Sequence, residues 1–189
     1  MDVNPFSKLK SLLNPLNDGG DGTSLDHDSA AVAVIFRENM PWPELLLVKR
    51  VTLSTDPWSG QIAFPGGRYE PVDKDLTDTM FRELWEEAGI PKTSVELLGT
   101  LPYISPANYP KMKVKPYVGR LMEKVEARPG AEIERTYWVS LDKLKPRVEK
   151  VYARSFGNVR KFFCYVFDGE VVWGMTSVLI RRIMRILDL

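Results

Sequence analysis

The sequence predicts a mixed α/β (α+β) domain in which a mixed β-sheet is covered by α-helices. Two amphipathic helical segments stand out, at 77–89 and 176–187, and strand-like segments fill much of the remaining chain. The strand-like segments cover residues 30–36, 44–50, 94–103, 112–122, 131–139 and 161–167. Because several strands follow one another without an intervening helix, a mixed sheet is favoured over a doubly wound parallel sheet.

The length of 189 residues suits one domain with a single well-buried core. A short helix is predicted at 5–13, and Asn14, Pro15 and the Gly- and Asp-rich run at 17–22 end it. We therefore predict a flexible N-terminal appendage at 1–28 and a single domain at 29–189.

The overall charge gives no reason to expect binding to nucleic acid or to an anionic membrane. The 26 basic residues nearly balance the 25 acidic ones. Apolar segments stay shorter than the roughly 18 residues that a membrane helix needs. We expect a cytoplasmic protein with a small-molecule partner and without a nucleic-acid or membrane partner.

The composition limits the kinds of site that cysteine and histidine side chains could form. The chain has one cysteine, Cys164, in an aromatic run, and one histidine, His27, in a polar stretch. A single cysteine excludes an internal disulfide and a thiolate metal cluster, and a single histidine excludes a site that needs two imidazoles. We interpret Cys164 as a buried strand residue and His27 as a loop residue.

The helix predicted from Thr77 to Ala88 has two faces of different character. Its apolar face is predicted to be buried and carries Met80, Phe81, Leu84, Trp85 and Ala88. Its opposite face carries Asp78, Arg82, Glu83, Glu86 and Glu87. The three glutamates are spaced i, i+3 and i+4, which brings three carboxylates together on one surface. Either this is an ordinary solvated face with an Arg82–Glu86 pair, or hard divalent cations neutralise the three acids.

A glycine turn precedes this helix and favours the second interpretation. The run Phe-Pro-Gly-Gly at 64–67 allows positive φ and close approach of the backbone, so its carbonyl and amide groups can face a metal or a phosphate. Asp75 or Thr77 can cap the start of the helix, and Gly89 suits its left-handed end.

The run Arg-Glu-Leu-Trp-Glu-Glu-Ala-Gly-Ile at 82–90 resembles the second half of the Nudix hydrolase box. The first half of that box is a Gly, five residues of any type, a Glu and seven residues of any type. In the first half, Gly67 lies fifteen positions before Arg82 instead of fourteen, and Lys74 stands at the Glu position between Asp73 and Asp75. The resemblance implies a mixed sheet between helices, a divalent metal, and hydrolysis of a nucleoside diphosphate linked to another group.

Other segments are similar to the coenzyme A pyrophosphatase branch of that family. They are Leu-Leu-Leu-Val-Lys-Arg at 45–50, Gly-Gln-Ile-Ala-Phe-Pro-Gly-Gly at 60–67, Val-Lys-Pro-Tyr-Val at 114–118 and Trp-Gly-Met-Thr at 173–176. The branch has a second arginine between positions 50 and 60, and this chain has none, with Thr55 near that position. Coenzyme A or a derivative is therefore one candidate substrate, beside ADP-ribose and nucleoside triphosphates.

The resemblance assigns the site residues. We expect Mg²⁺ or Mn²⁺ to be held by the Gly67 carbonyl and by Glu83, Glu86 and Glu87. Arg82 is expected to pair with Glu83 or Glu86 and to orient that glutamate. One glutamate is expected to deprotonate the attacking water, and which one stays open. Glu132 is either an outer acid or an exposed strand residue. Separately from the resemblance, Arg50, Trp58, Arg68 and Tyr109 are the candidate substrate contacts, and each of them is equally compatible with packing or with a solvated surface.

Two functions of other classes remain open. The first is a Nudix-fold module that senses a nucleotide without cleaving it, although such a module has no need of an intact row of glutamates. The second is an isoprenoid diphosphate isomerase, whose chemistry resembles sites with several histidines and a cysteine, which this chain cannot supply. The N-terminal segment and the Arg-faced C-terminal helix could both serve a homodimer.

Overall fold

The computed structural model describes residues 4–16, 25–52, 58–153 and 157–189. The helices in these ranges are α1 (Pro5–Leu12), α2 (Leu76–Ala88) and α3 (Gly174–Ile186), with short 3-10 turns at Lys92–Ser94 and Leu141–Lys143. The strands are β1 (Ser29–Arg37), β2 (Glu44–Arg50), β3 (Ile62–Ala63), β4 (Gly66–Arg68), β5 (Val95–Thr100), β6 (Lys113–Leu121), β7 (Ile133–Ser140), β8 (Lys145–Ala153), β9 (Asn158–Phe167) and β10 (Glu170–Val172).

The main sheet is mixed, as predicted. Its strands run in the order β3-β2-β1-β6-β5, with β4 also paired to β1 and β7 paired to β2. The β1–β6 pair is parallel and the other pairs are antiparallel. A second sheet has the order β10-β9-β8.

Both faces of β1 are buried, because helices cover the sheet from both sides. Its side chains alternate between the two faces, so the strand reads as one continuous apolar run. One face packs with α1 and α3, through Val32, Val34, Phe36, Phe6, Leu9, Leu179 and Ile183. The other face packs with α2, through Ala31, Ala33, Ile35, Met80, Leu84 and Ala88. The predicted sheet between helices is therefore confirmed.

Helix α1 is part of the core, which corrects the prediction of a flexible appendage for this part of 1–28. Phe6 and Leu9 are buried among the residues of the α3 face. The Asn4 side chain caps the helix by accepting from the Phe6 N–H at 2.9 Å. Asn14 then pairs with Thr100 through two backbone hydrogen bonds. Residues 1–3 and 17–24 lie outside the described residues.

We expect the substitution Leu9→Ala to lower the free energy of unfolding by about 3 kcal/mol, because it removes a side chain with no solvent exposure from a packed core. Leu12→Ala is the matched control on the same helix. Leu12 is 59% exposed, so its truncation should change stability by less than about 0.5 kcal/mol. Urea unfolding of both variants measures the difference, and equal values would mean that α1 is detached in solution.

Helix α2 begins at Leu76, with Asp75 accepting from the Asp78 N–H at 2.9 Å, and ends at Gly89 with φ 65°. Both predicted caps are confirmed. Two side chains differ from the prediction, since Trp85 is 59% exposed and Glu87 is only 5% exposed. The buried stripe is centred on Met80, Leu84 and Ala88. Because of this orientation of the helix, Glu87 lies under the glycine loop and Trp85 faces solvent.

The hairpin of β8 and β9 extends beyond the predicted strand at 161–167. β8 was not predicted, because most of its side chains are exposed and it has no continuous apolar run. β9 begins at Asn158, and Cys164 is buried in it as expected. Helix α3 begins at Gly174 and packs on the sheet, as predicted. In the described part of the chain, every helix is too short or too polar to cross a bilayer.

Candidate active site

A cleft of about 900 Å³ opens between the α2 side of the main sheet and the start of α3. Eight of the nine residues that the sequence assigned to the site line it, namely Arg50, Trp58, Gly67, Arg68, Arg82, Glu83, Glu86 and Glu87. Helix α2 supplies four of them from one face, because its apolar stripe fixes the helix to the sheet. Their chemical roles remain predictions.

Arg82 is held by an acid that the sequence reasoning did not assign. Its Nε and Nη2 donate to the two carboxylate oxygens of Asp73, each at 3.0 Å. Asp73 is 7% exposed and also accepts from the Thr79 hydroxyl at 2.9 Å. The hydrogen bond from Arg82 is the main reason why the pKa of Asp73 lies below its usual value. This pair fixes the direction of the Arg82 guanidinium.

The remaining Arg82 nitrogen contacts both of the glutamates that the sequence proposed as its partners. Nη1 donates to Glu83 Oε1 at 2.8 Å and to Glu86 Oε2 at 3.2 Å. Burial raises the pKa of Glu83 more than the contact with Arg82 lowers it. The Glu86 side chain is 53% exposed and faces the cleft. Arg82 therefore orients two carboxylates along one wall.

Glu87 is the buried member of the glutamate row. Its Oε2 accepts from the Gly66 N–H at 2.9 Å, and its Oε1 accepts from Arg50 Nη1 at 3.0 Å. Desolvation outweighs both contacts and raises the pKa of Glu87 to about 7. Arg50 also donates from Nη2 to Glu132 Oε2 at 3.1 Å, so it links the buried acid to the exposed one.

The turn at 66–67 fits tightly against these acids. A Cβ atom on Gly67 would overlap the Glu83 carboxylate, which would have to shift, whereas a Cβ atom on Gly66 would overlap the backbone of Ala31 and Val32, so position 66 requires glycine. Carboxylate and carbonyl oxygens are the donors that Mg²⁺ prefers, and the predicted ligands share one cleft wall. Among the described residues, no three acidic, His or Cys side chains converge as a ready-made metal cluster. The three carboxylates do not converge because Glu83 and Glu86 face Arg82 and Glu87 faces Arg50. Their oxygens are nevertheless the donor type that a hard cation prefers, and all three residues line the same cleft.

The candidate substrate contacts divide into two groups. Trp58, Arg68 and Arg50 line the cleft. Tyr109 does not line it, since its hydroxyl donates to Asp28 at 2.7 Å and its ring lies 5.5 Å from the Arg68 guanidinium. The structure therefore places Tyr109 as a support for Arg68 and not as a direct contact.

The sequence did not predict that three further aromatic residues form part of the cleft lining, together with a methionine. These residues are Phe162, Phe163, Trp173 and Met175. The rings of Phe162 and Trp173 lie 4.8 Å apart. Two segments carried a signal: the aromatic run at 162–167, which reads equally well as a buried strand, and Trp-Gly-Met-Thr at 173–176, which was noted only for its similarity to the family branch. The cleft therefore joins an acidic wall to an apolar one.

We expect the stability of the protein in a chelator to fall as the pH rises from 4.5 to about 7, through Glu87. A carboxyl whose folded pKa is raised keeps its proton in the folded state, so this stability is present below the unfolded value and is lost as the pH passes the folded one. The change is up to about 3 kcal/mol. Denaturant unfolding of the wild type and of Glu87→Gln across this pH range isolates the contribution of Glu87. If the difference in unfolding free energy between the two proteins did not change with pH, the prediction would be wrong.

Comparisons with known proteins agree with this geometry. The NUDIX domain family matches residues 26–159. A protein of Escherichia fergusonii named "Uncharacterized Nudix hydrolase NudL" is 32% identical over 167 residues, which are 85% of this chain and 83% of that protein. A protein of the same name from Photorhabdus laumondii is 32% identical over 148 residues, 76% of each chain. The crystal structure of a C. elegans Ap4A hydrolase binary complex superposes with a TM-score of 0.50 at 25% identity, covering 60% of this chain and 80% of that one.

Proposed function

The chain belongs to the Nudix hydrolase family, and on this premise we propose that it hydrolyses a nucleoside diphosphate-linked substrate with Mg²⁺ or Mn²⁺. It is a Nudix-type pyrophosphohydrolase. The observation that carries the proposal is the row of Glu83, Glu86 and Glu87 along one cleft wall, where Arg82 orients the first two and Gly66 and Arg50 hold the third.

Each residue of the row has a defined part in the proposed reaction. When bound, the divalent cation supplies Lewis-acid stabilisation of the charge that develops on the diphosphate. Gly67, Glu83, Glu86 and Glu87 would hold it, and Arg82 keeps the carboxylates in position. Glu86 and Glu132, whose side chains are 53% and 70% exposed, reach water in the cleft, and either carboxylate can take the proton of the attacking water.

We propose coenzyme A or a derivative as the leading substrate. The cleft of about 900 Å³ is larger than a diphosphate needs, and the aromatic residues in its lining suit an apolar extension of the substrate. The segments at 45–50 and 60–67 that resemble the coenzyme A branch both contribute to the cleft. Dinucleoside polyphosphates are the second candidate, because the similar C. elegans protein is named an Ap4A hydrolase. ADP-ribose and nucleoside triphosphates remain further alternatives.

A substrate panel tests this proposal. The purified chain is incubated with coenzyme A, ADP-ribose, NADH, dinucleoside polyphosphates and nucleoside triphosphates, each with Mg²⁺, with Mn²⁺ and with a chelator. We expect two phosphorylated products of defined mass, formed only with a cation. Tight binding of a panel member without cation-dependent turnover would instead identify a nucleotide-sensing module.

The predicted homodimer, the cytoplasmic location and the absence of nucleic-acid and membrane partners rest on the sequence alone. Light scattering over a range of protein concentrations tests the dimer.

A further inference from the structure

Four exposed large apolar side chains lie together on one face of the β8–β9 hairpin. The register pairs Val148 with Phe163 and Tyr152 with Val159, and paired residues of antiparallel strands point to the same side. These side chains are between 36% and 66% exposed. Single apolar side chains on a protein surface are ordinary, whereas a group of them marks a surface that contacts a partner.

The centre of the same face is positively charged. Lys150 lies directly opposite Lys161, between the two apolar pairs, and both lysines are exposed. Like charges that face each other across two strands destabilise a sheet, and none of the six residues is acidic. We refer to these six residues as the hairpin face, namely Val148, Lys150, Tyr152, Val159, Lys161 and Phe163.

Positive charge is concentrated in this hairpin. Strands β8 and β9 contain five basic residues and one acidic residue, which gives them a net charge of +4. The whole chain has a net charge of +1, so the remaining residues are net negative. The total charge therefore gave no reason to expect an anionic partner, whereas the local distribution of charge does.

A second copy of this chain is a poor fit for the hairpin face. In a twofold dimer the same patch meets itself, so the lysines of both copies would come together without a carboxylate between them. The partner must instead offer negative charge beside apolar groups.

An anionic lipid bilayer offers both, because its phosphate headgroups lie directly above its acyl chains. A nucleic acid would supply the negative charge and bases that stack on Tyr152, but no apolar layer for Val148 and Val159. Chemical complementarity therefore favours the lipid surface.

The hairpin face adjoins the cleft. Phe163 belongs to the face and also lines the cleft. The Arg181 guanidinium lies 5.0 Å from the Phe163 ring and lines the cleft as well, so it adds a positive charge at this boundary. A bilayer that contacts the hairpin face would therefore lie beside one edge of the cleft.

We propose that the hairpin face docks on the surface of an anionic lipid bilayer as a peripheral contact. Lys150 and Lys161 contact the headgroups, and Val148, Tyr152 and Val159 enter the interface between headgroups and acyl chains. This contact goes beyond the proposed function, which requires no membrane. It also replaces the expectation of no membrane partner, which rested on the total charge of the sequence.

Vesicle sedimentation tests the two lysines. The full chain is mixed with phosphatidylcholine vesicles that either contain or lack phosphatidylserine. We expect sedimentation with the anionic vesicles, and release from them at high salt. One basic residue near an anionic surface tightens binding about fivefold, so Lys150→Gln combined with Lys161→Gln should weaken binding by about 25-fold.

The matched control for this double variant is Lys111→Gln combined with Lys124→Gln. It removes the same charge from exposed positions outside the hairpin, so binding to the anionic vesicles should be retained. Melting temperatures of both double variants confirm that they fold.

A fluorescent label tests whether the apolar side chains enter the bilayer. The native thiol of Cys164 has no solvent exposure, so an added exposed cysteine can be labelled selectively. A polarity-sensitive dye on Tyr152→Cys should shift its emission to shorter wavelength when anionic vesicles are added. The same dye on Leu12→Cys should not shift, because Leu12 is 59% exposed on α1, outside the hairpin.

Four results would overturn this inference. They are a wild type that does not sediment with anionic vesicles, unchanged binding of the Lys150 and Lys161 double variant, an unshifted dye at position 152, and a rise of mass with protein concentration that Tyr152→Ser abolishes. The third result would mean that charge alone acts, as with a nucleic acid, and the fourth that a second copy covers the face. None of these measurements depends on turnover, so the substrate panel tests the proposed function separately.

Discussion

Replacing Glu87 with glutamine is expected to lower kcat/KM by about a thousandfold, which corresponds to about 4 kcal/mol of transition-state stabilisation. Glu87 lies in the cleft at 5% exposure, where a carboxylate can neutralise a cation with little competition from water. A neutral amide cannot do so. Because the glutamine oxygen can still accept from the Gly66 N–H, the fold should be retained.

The matched control for this variant is Asp78→Asn on the same helix. Asp78 lies outside the cleft and pairs with Lys92 at 3.6 Å, so its neutralisation should leave turnover unchanged. Glu86→Gln should also lose turnover but should keep the pH-dependent change in stability that Glu87→Gln removes, because Glu87 is still present in it. Full turnover of Glu87→Gln with Mg²⁺ would remove Glu87 from the metal site and overturn the assignment.

Local chemistry in the sequence was sufficient to predict α2. The capping side chain of Asp75, the left-handed Gly89 and the apolar spacing are all properties of neighbouring residues. The burial of Glu87 could not be predicted in this way. The helical period decides which side chains share a face, whereas the loop at 66–67 and Arg50 decide which part of that face is covered. The exposure of Trp85 could not be predicted for the same reason, because the helical period does not show which part of a face is covered.

The partner of Arg82 was missed for a different reason. The family pattern places an acid at position 74, where this chain has lysine, and the spacing from Gly67 is one residue longer. The path of the loop decides which acid reaches the arginine. A turn closed by the Asp73 N–H and the Glu70 carbonyl, 2.9 Å apart, directs Asp73 toward α2. The positions of these residues along the chain do not by themselves predict that turn.

The substitution Asp73→Asn is expected to lower the free energy of unfolding by about 3 kcal/mol, because it breaks a buried ion pair that is made through two hydrogen bonds. Asp73 is 7% exposed and meets Arg82 through two bonds of 3.0 Å. Its folded pKa lies below the usual value of 3.8, so this stability is present above 3.8 and is lost as the pH falls through the folded pKa. The difference in unfolding free energy between the wild type and Asp73→Asn should therefore be constant near neutral pH and become smaller below pH 3.8.

Glu70→Gln is the control for Asp73→Asn, because Glu70 contacts the same guanidinium from an exposed position. The Glu70 side chain is 60% exposed and lies 3.7 Å from Arg82 Nη1, so its loss should cost less than about 1 kcal/mol. Equal effects of the two variants would mean that the Asp73 pair contributes no more than a surface contact. Asp73→Asn should also reduce turnover, since Arg82 would then be free to turn toward Glu83 and Glu86 and compete with the cation for their oxygens. A loss of turnover that added Mg²⁺ partly restores would identify Asp73 as the residue that positions the arginine.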